Sequence, residues 1–226
     1  MAERVVLDEF ERRVLGVLME KALAQPEYYP MTLNALVAAC NQKQNRDPVM
    51  SLGEDTIHDA LERLRERHLV TLVFPAPGAR TNRYKHEVDA VFGWQPRERA
   101  VVTELLLRGP QTAGELRTHC SRLMPFENLD AVSMVLDCLA NYDPPVATAL
   151  PREPGRSAIR FTHRLYPDGE QPAGDREDAN VTPAMATQSA TAPAASPDLA
   201  ARIEALEQRV AALERLAKQH EETTNE

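Results

Sequence analysis

The chain has 226 residues, 43% of them hydrophobic, which is enough for one large domain or two small ones with separate cores. No apolar run approaches the roughly 20 residues of a membrane span, and "MAERVVLDEFERR" lacks a signal peptide's apolar stretch, so we expect a cytoplasmic protein without a membrane partner. The net charge of -8 is uneven, since residues 1–170 carry 21 Lys and Arg against 24 Asp and Glu. The body is therefore nearly balanced, and a nucleic-acid partner is not excluded.

Helical periodicity begins in "LDEFERRVLGVLMEKAL", where Leu7, Phe10, Val14, Val17, Leu18 and Leu23 form one apolar stripe behind an Asp8 N-cap. Pro26 and Pro30 end it, and Thr32 caps a short second helix, "LNALVAACNQK". A polar loop, "NRDPVMSLGED", leads to a third helix at 54–67 with Ile57, Ala60, Leu61, Leu64 and Leu69 inward. "VTLVF", the turn "PAPGAR" and "TNRYKHEV" then read as a hairpin.

The same order returns from Gln95. Thr32, Leu36 and Cys40 match Thr112, Leu116 and Cys120, and Ile57, Leu61 and Leu64 match Val132, Leu136 and Leu139. "RYKH" at 83–86 returns as "RFTH" at 160–163, so the offsets change only in loops, as a duplicated unit requires. Three helices and a hairpin are the winged-helix variant of helix-turn-helix. The expected fold class is mainly α with small β-hairpins (α+β): winged-helix domains at 1–92 and 93–166, a disordered linker at 167–196, and a coiled-coil helix at 197–220. The recognition-helix positions fall at 54–67 and 129–141.

In that last helix Leu199, Ile203, Leu206, Val210 and Leu213 occupy a and d positions, with Arg202 and Arg209 at g and Glu207 and Glu214 at e. This pattern predicts a parallel homodimer, the alternative being a single helix docked on its own body.

Phosphate loops, GxSxG, HExxH and metal-spaced Cys/His clusters are all absent, so neither enzyme activity, cofactor nor metal is expected. Cys40, Cys120 and Cys138 read as small buried core residues. Hairpin alternation turns Tyr84, His86, Ile159, Phe161 and His163 inward, the histidines as structural residues. The opposite face presents Arg83, Lys85 and Arg160 with Arg80, Arg152, Arg156 and Arg164, a basic wing suited to phosphate or the minor groove. Lys43 and Arg46 of the distinctive loop are further candidate anion contacts. The third helices point the other way: Asp55, Asp59, Glu62 and Glu66 surround Arg63, Arg65 and Arg67 in the first, and Glu127, Asp130 and Asp137 face outward in the second without Lys or Arg. Carboxylates repel phosphates. Two readings therefore stand, a transcription-regulator-like protein on double-stranded DNA and a protein-interaction module with acidic recognition faces.

The stretches "CNQKQNRDPVM", "GARTNRYKH", "LLLRGPQTAGELR" and "REPGRS" make the chain resemble the YceH-like family of uncharacterised bacterial proteins over roughly residues 7–165. The resemblance implies a tandem winged-helix fold and an association with DNA-binding proteins. It implies no catalytic residue or ligand.

Overall fold

The computed structural model describes residues 4–75, 81–152 and 158–170. Its architecture is mainly helical with two small antiparallel sheets. The first repeat comprises α1 (Glu9–Ala24), α2 (Leu33–Cys40), α3 (Glu54–Glu66), β1 (Val70–Val73) and β2 (Arg83–His86). A short α4 (Val88–Phe92), ended by Gly93 at φ 68°, leads to the second repeat. That repeat comprises α5 (Pro96–Arg108), β3 (Gln111–Thr112), α6 (Ala113–Cys120), α7 (Leu129–Ala140), β4 (Ala147–Ala149) and β5 (Arg160–His163). The sheet orders are β1-β2 and β3-β5-β4, and the antiparallel bridge of Met31 to Tyr84 is the first repeat's counterpart of the Gln111–Phe161 pairing of β3 with β5.

Local chemistry starts the helices where the sequence says it should. Asp8 accepts from the Phe10 and Glu11 amides while the Glu11 carboxylate accepts from the Asp8 amide, a complete capping box. Thr32 caps α2 through the Ala35 amide at 3.3 Å, and Thr112 caps α6 through the Glu115 amide at 3.2 Å. Elements that periodicity did not reveal are short: the 3-10 turn Pro26–Tyr28, α4 and the two-residue β3.

The single apolar stripe expected of α1 is a correction. Every residue from Glu11 to Glu20 is buried, because α5 of the second repeat covers the face that the first repeat leaves open. Gly16 makes the approach possible: a Cβ there would lie 2.9 Å from Leu107 Cδ2 and 3.2 Å from Leu106 Cβ. The two repeats consequently share one contiguous apolar core rather than two.

Inward charges on this seam are paired with each other. Glu20 of α1 accepts from Arg46 at 2.5 and 3.1 Å and from Arg122 at 2.5 Å; Arg122 also donates to Glu104 of α5 at 2.7 Å, and Arg108 to Glu104 at 3.0 Å. Burial alone would raise the Glu20 carboxyl, but the bonds and charge of Arg46, with Arg122, outweigh it and hold its pKa below the usual range. The loop that distinguishes the first repeat supplies the clamp. Asp47 N–H donates to Leu107 O at 2.8 Å, Arg108 donates to Asn45 Oδ1, and Arg13 donates to Pro48 O at 2.5 Å.

Residues 167–170, assigned to the linker by composition, pack back on the body: Asp168 pairs with Arg4 at 2.9 Å and Glu170 with Arg12. The coiled-coil positions Leu199, Ile203, Leu206, Val210 and Leu213, and the rest of the linker, lie outside the described residues.

Glu20→Ala strands the buried Arg46 without its carboxylate and leaves Arg122 with Glu104 alone, and should lower the unfolding free energy in urea by about 3–5 kcal/mol. Gly16→Val, which forces the α1 and α5 backbones apart, should cost about 1–3 kcal/mol in the same titration.

Candidate interaction surface

The outward side of α3 is set by what its arginines do. Arg63 reaches back to the N-terminus of α1, donating to Asp8 at 2.9 Å and lying 3.4 Å from Glu11 without hydrogen-bond alignment. Arg67 pairs with Glu11 at 3.3 Å and donates to Val6 O, and Arg65 binds Glu62 at 2.7 Å within α3. All three cations expected beside the recognition face are thus engaged with acids. Glu54, Asp55, Asp59 and Glu66 remain exposed, so the outward side of α3 is acidic.

Along α7 the exposed side carries Asp130, Asp137, Leu129 and Met134, the last 69% exposed. Cys138 lies there too, which corrects the expectation of a buried thiol; Cys40 and Cys120 are in the core as expected. Burial pushes the Cys40 thiol up to about 12, so it has no nucleophilic character near neutrality.

The basic residues are dispersed. Arg83 is exposed and donates to Pro30 O at 2.7 Å; Lys85 pairs with Glu87 at 2.8 Å; Arg160 is half-buried and donates to Pro110 O at 3.0 Å. Lys43, Arg152 and Arg164 are exposed, and Arg80 and Arg156 lie outside the described residues. Arg46 is a correction: its side chain is fully buried, bonded to Glu20, Ala39 O, Asn45 O and Gln42, and an external anion does not reach it. Its role is to hold the repeats together. No sequence motif marks that role; the available signal was Glu20 inside the apolar run "VLMEKAL", a carboxylate that needs a buried cation.

The repeated histidines are structural. His86 packs against Tyr29 with ring centroids 5.7 Å apart, and burial lowers its pKa to about 4. His163 stacks on Tyr166 at 4.0 Å and accepts from the Leu165 amide at 3.2 Å, its pKa pushed well down by burial and then by Arg12. Ile159, expected inward with them, is 38% exposed because it precedes β5, which begins at Arg160. Among the described residues no group of three His, Cys, Asp or Glu side chains is arranged to hold a metal ion, and no helix is long and apolar enough to cross a membrane.

A family model described as "Protein of unknown function, DUF480" matches residues 7–156. A UPF0502 protein of Geobacter sulfurreducens is 48% identical over 172 residues, covering 76% of this chain and 78% of that one. Those of Geobacter metallireducens and Koribacter versatilis are 47% and 46% identical over 180 and 168 residues, covering 78% and 74% of this chain and 81% and 78% of theirs. These matches agree with the YceH-like resemblance and extend over both repeats.

The buried, neutral histidines fix a pH dependence. The unfolded chain protonates near pH 6.5 whereas folded His86 does so only near 4, so stability is full above about 6.5 and falls as the pH drops towards 4. His86 alone accounts for a loss on the order of 3 kcal/mol across that window. The urea midpoint should therefore be lower at pH 5 than at pH 7, by a smaller margin in His86→Gln.

Proposed function

The chain belongs to the DUF480 family, and we propose that it is a non-enzymatic, cytoplasmic tandem winged-helix protein that uses its recognition-helix faces to bind a basic protein partner. One observation carries this reading: Arg63, Arg65 and Arg67 are all committed to carboxylates of the protein itself, leaving Glu54, Asp55, Asp59 and Glu66 outward on α3. A helix with that charge is repelled by a phosphate backbone, and its arginines, 39%, 36% and 42% exposed, are held by acids rather than free to reach base edges. The exposed Leu129 and Met134, on α7 with Asp130 and Asp137, support the same reading, since an acidic surface with apolar anchors is complementary to a cationic amphipathic partner. A winged-helix scaffold does not oblige a protein to read DNA.

The second reading, double-stranded DNA contacted through the hairpins, is favoured by exposed Arg83 and Arg152, with exposed Lys43 on the loop between α2 and α3. Dimerisation through the C-terminal coil would double either surface.

Fluorescence anisotropy separates the two readings. The protein should bind labelled 20-residue poly-lysine, and Asp55→Asn, Asp59→Asn and Glu66→Gln combined should weaken that binding about tenfold or more. The same neutralisation at Glu9, Glu27 and Asp143 should have little effect. Random-sequence duplex DNA should not be retained at low salt. Retention that falls steeply with salt and disappears on replacing Arg83, Lys85, Arg152 and Arg160 by alanine would establish the second reading instead.

A further inference from the structure

Among the described residues strand β1 is an outer strand, paired with β2 on one side only. Glu87 N–H donates to Leu69 O at 2.8 Å, which makes Leu69 and Glu87 a hydrogen-bonded pair. By the alternation of antiparallel ladders, Thr71–Lys85 and Val73–Arg83 are bonded likewise. Val70 and Leu72 therefore turn their N–H and C=O groups away from β2. Tyr84, opposite Leu72, confirms the phase, since its amide and carbonyl point the other way to Met31 at 2.7 and 3.1 Å. Val70 is buried, but Leu72 is half-exposed and its backbone groups have no hydrogen-bond partner among the described residues.

The side chains of Val70, Leu72 and Phe74 share one face of this strand, and cover fails along it. Val70 is 2% exposed beneath the end of α3, whereas Phe74 is 77% exposed. Between this shelf and the last turn of α3 lies a groove of about 430 Å³, with Glu62, Arg65, Glu66 and His68 on its rim. Arg65 is spent on Glu62, but Glu66 forms no ion pair among the described residues. An open hydrogen-bonding edge, an uncovered aromatic ring and an unpaired carboxylate thus lie side by side.

We propose that the β1 edge is a strand-addition site for an extended peptide segment of the partner. The segment pairs with Leu72, lays an apolar side chain against Leu72 and Phe74, and sets a Lys or Arg two positions away against Glu66. Backbone pairing supplies affinity and alternate side chains supply selectivity. This deepens the reading of a basic partner and rests on it.

The probe is a fluorescein-labelled eight-residue Lys-Val peptide of sequence Thr-Val-Thr-Lys-Thr-Val-Thr-Lys, which sets Val and Lys two positions apart on one face, with two companions: the same peptide N-methylated at every second residue, and a Glu-Val peptide with Glu at both Lys positions. The unmodified Lys-Val peptide should bind. N-methylation, which removes the pairing donors and leaves charge intact, should weaken binding about tenfold or more. Phe74→Ser and Glu66→Lys should each weaken it about fivefold or more with unchanged thermal melting, and the Glu-Val peptide should not bind. In ¹⁵N-labelled protein the Leu72 amide should become protected from solvent exchange only with the unmodified Lys-Val peptide. Equal binding of the N-methylated peptide, or indifference to both substitutions, would overturn strand addition while leaving the acidic surface as the recognition element. Failure of every Lys-Val peptide to bind would overturn both.

Discussion

A carboxylate in the middle of an apolar helix is the constraint around which this protein is arranged. Glu20 lies in α1 with its side chain 2% exposed, and a charge so placed is tolerated only with cations delivered to it. One cation, Arg46, comes from the loop after α2; the other, Arg122, comes from the second repeat and is shared with Glu104 of α5. The pairing fixes the loop, the loop fixes Asp47 against the end of α5, and Gly16 allows the two long helices to close over the charges. The two halves of the chain thereby share a single core.

The duplicated plan was legible because it rests on local rules. Caps at Asp8, Thr32 and Thr112, helix-breaking prolines and the recurrence from "RYKH" to "RFTH" act within a few residues of themselves. The seam was not legible, because nothing near Arg46 shows that its partner lies 26 positions upstream or that Arg122 lies 102 positions from Glu20. Read alone, an arginine in a polar loop is a surface cation; only the burial of α1 on both sides turns it into an interior one. Cys138 and Ile159 depart from expectation for the converse reason: an apolar residue type suggests an inward position, but Cys138 on α7 and Ile159 just before β5 face outward.

The candidate surface was legible in part. Acidic residues along both third helices stand in the sequence, but the engagement of Arg63 and Arg67 depends on the N-terminus of α1 lying beside the end of α3. That placement changes a mixed-charge helix into an acidic one. It also couples surface to core, since the arginines that leave the outward face are those that secure the cap of the central helix.

Sharing a buried charge between the two halves of the chain has a practical consequence. A cut in the connection between α4 and α5 would expose the apolar faces that α1 and α5 turn to each other and would separate Glu20 from Arg122. Neither half is therefore a portable module that can be expressed alone or grafted onto another chain. The seam makes residues 4–170 the smallest piece worth transplanting, and leaves the outward faces as the places where a graft is tolerated.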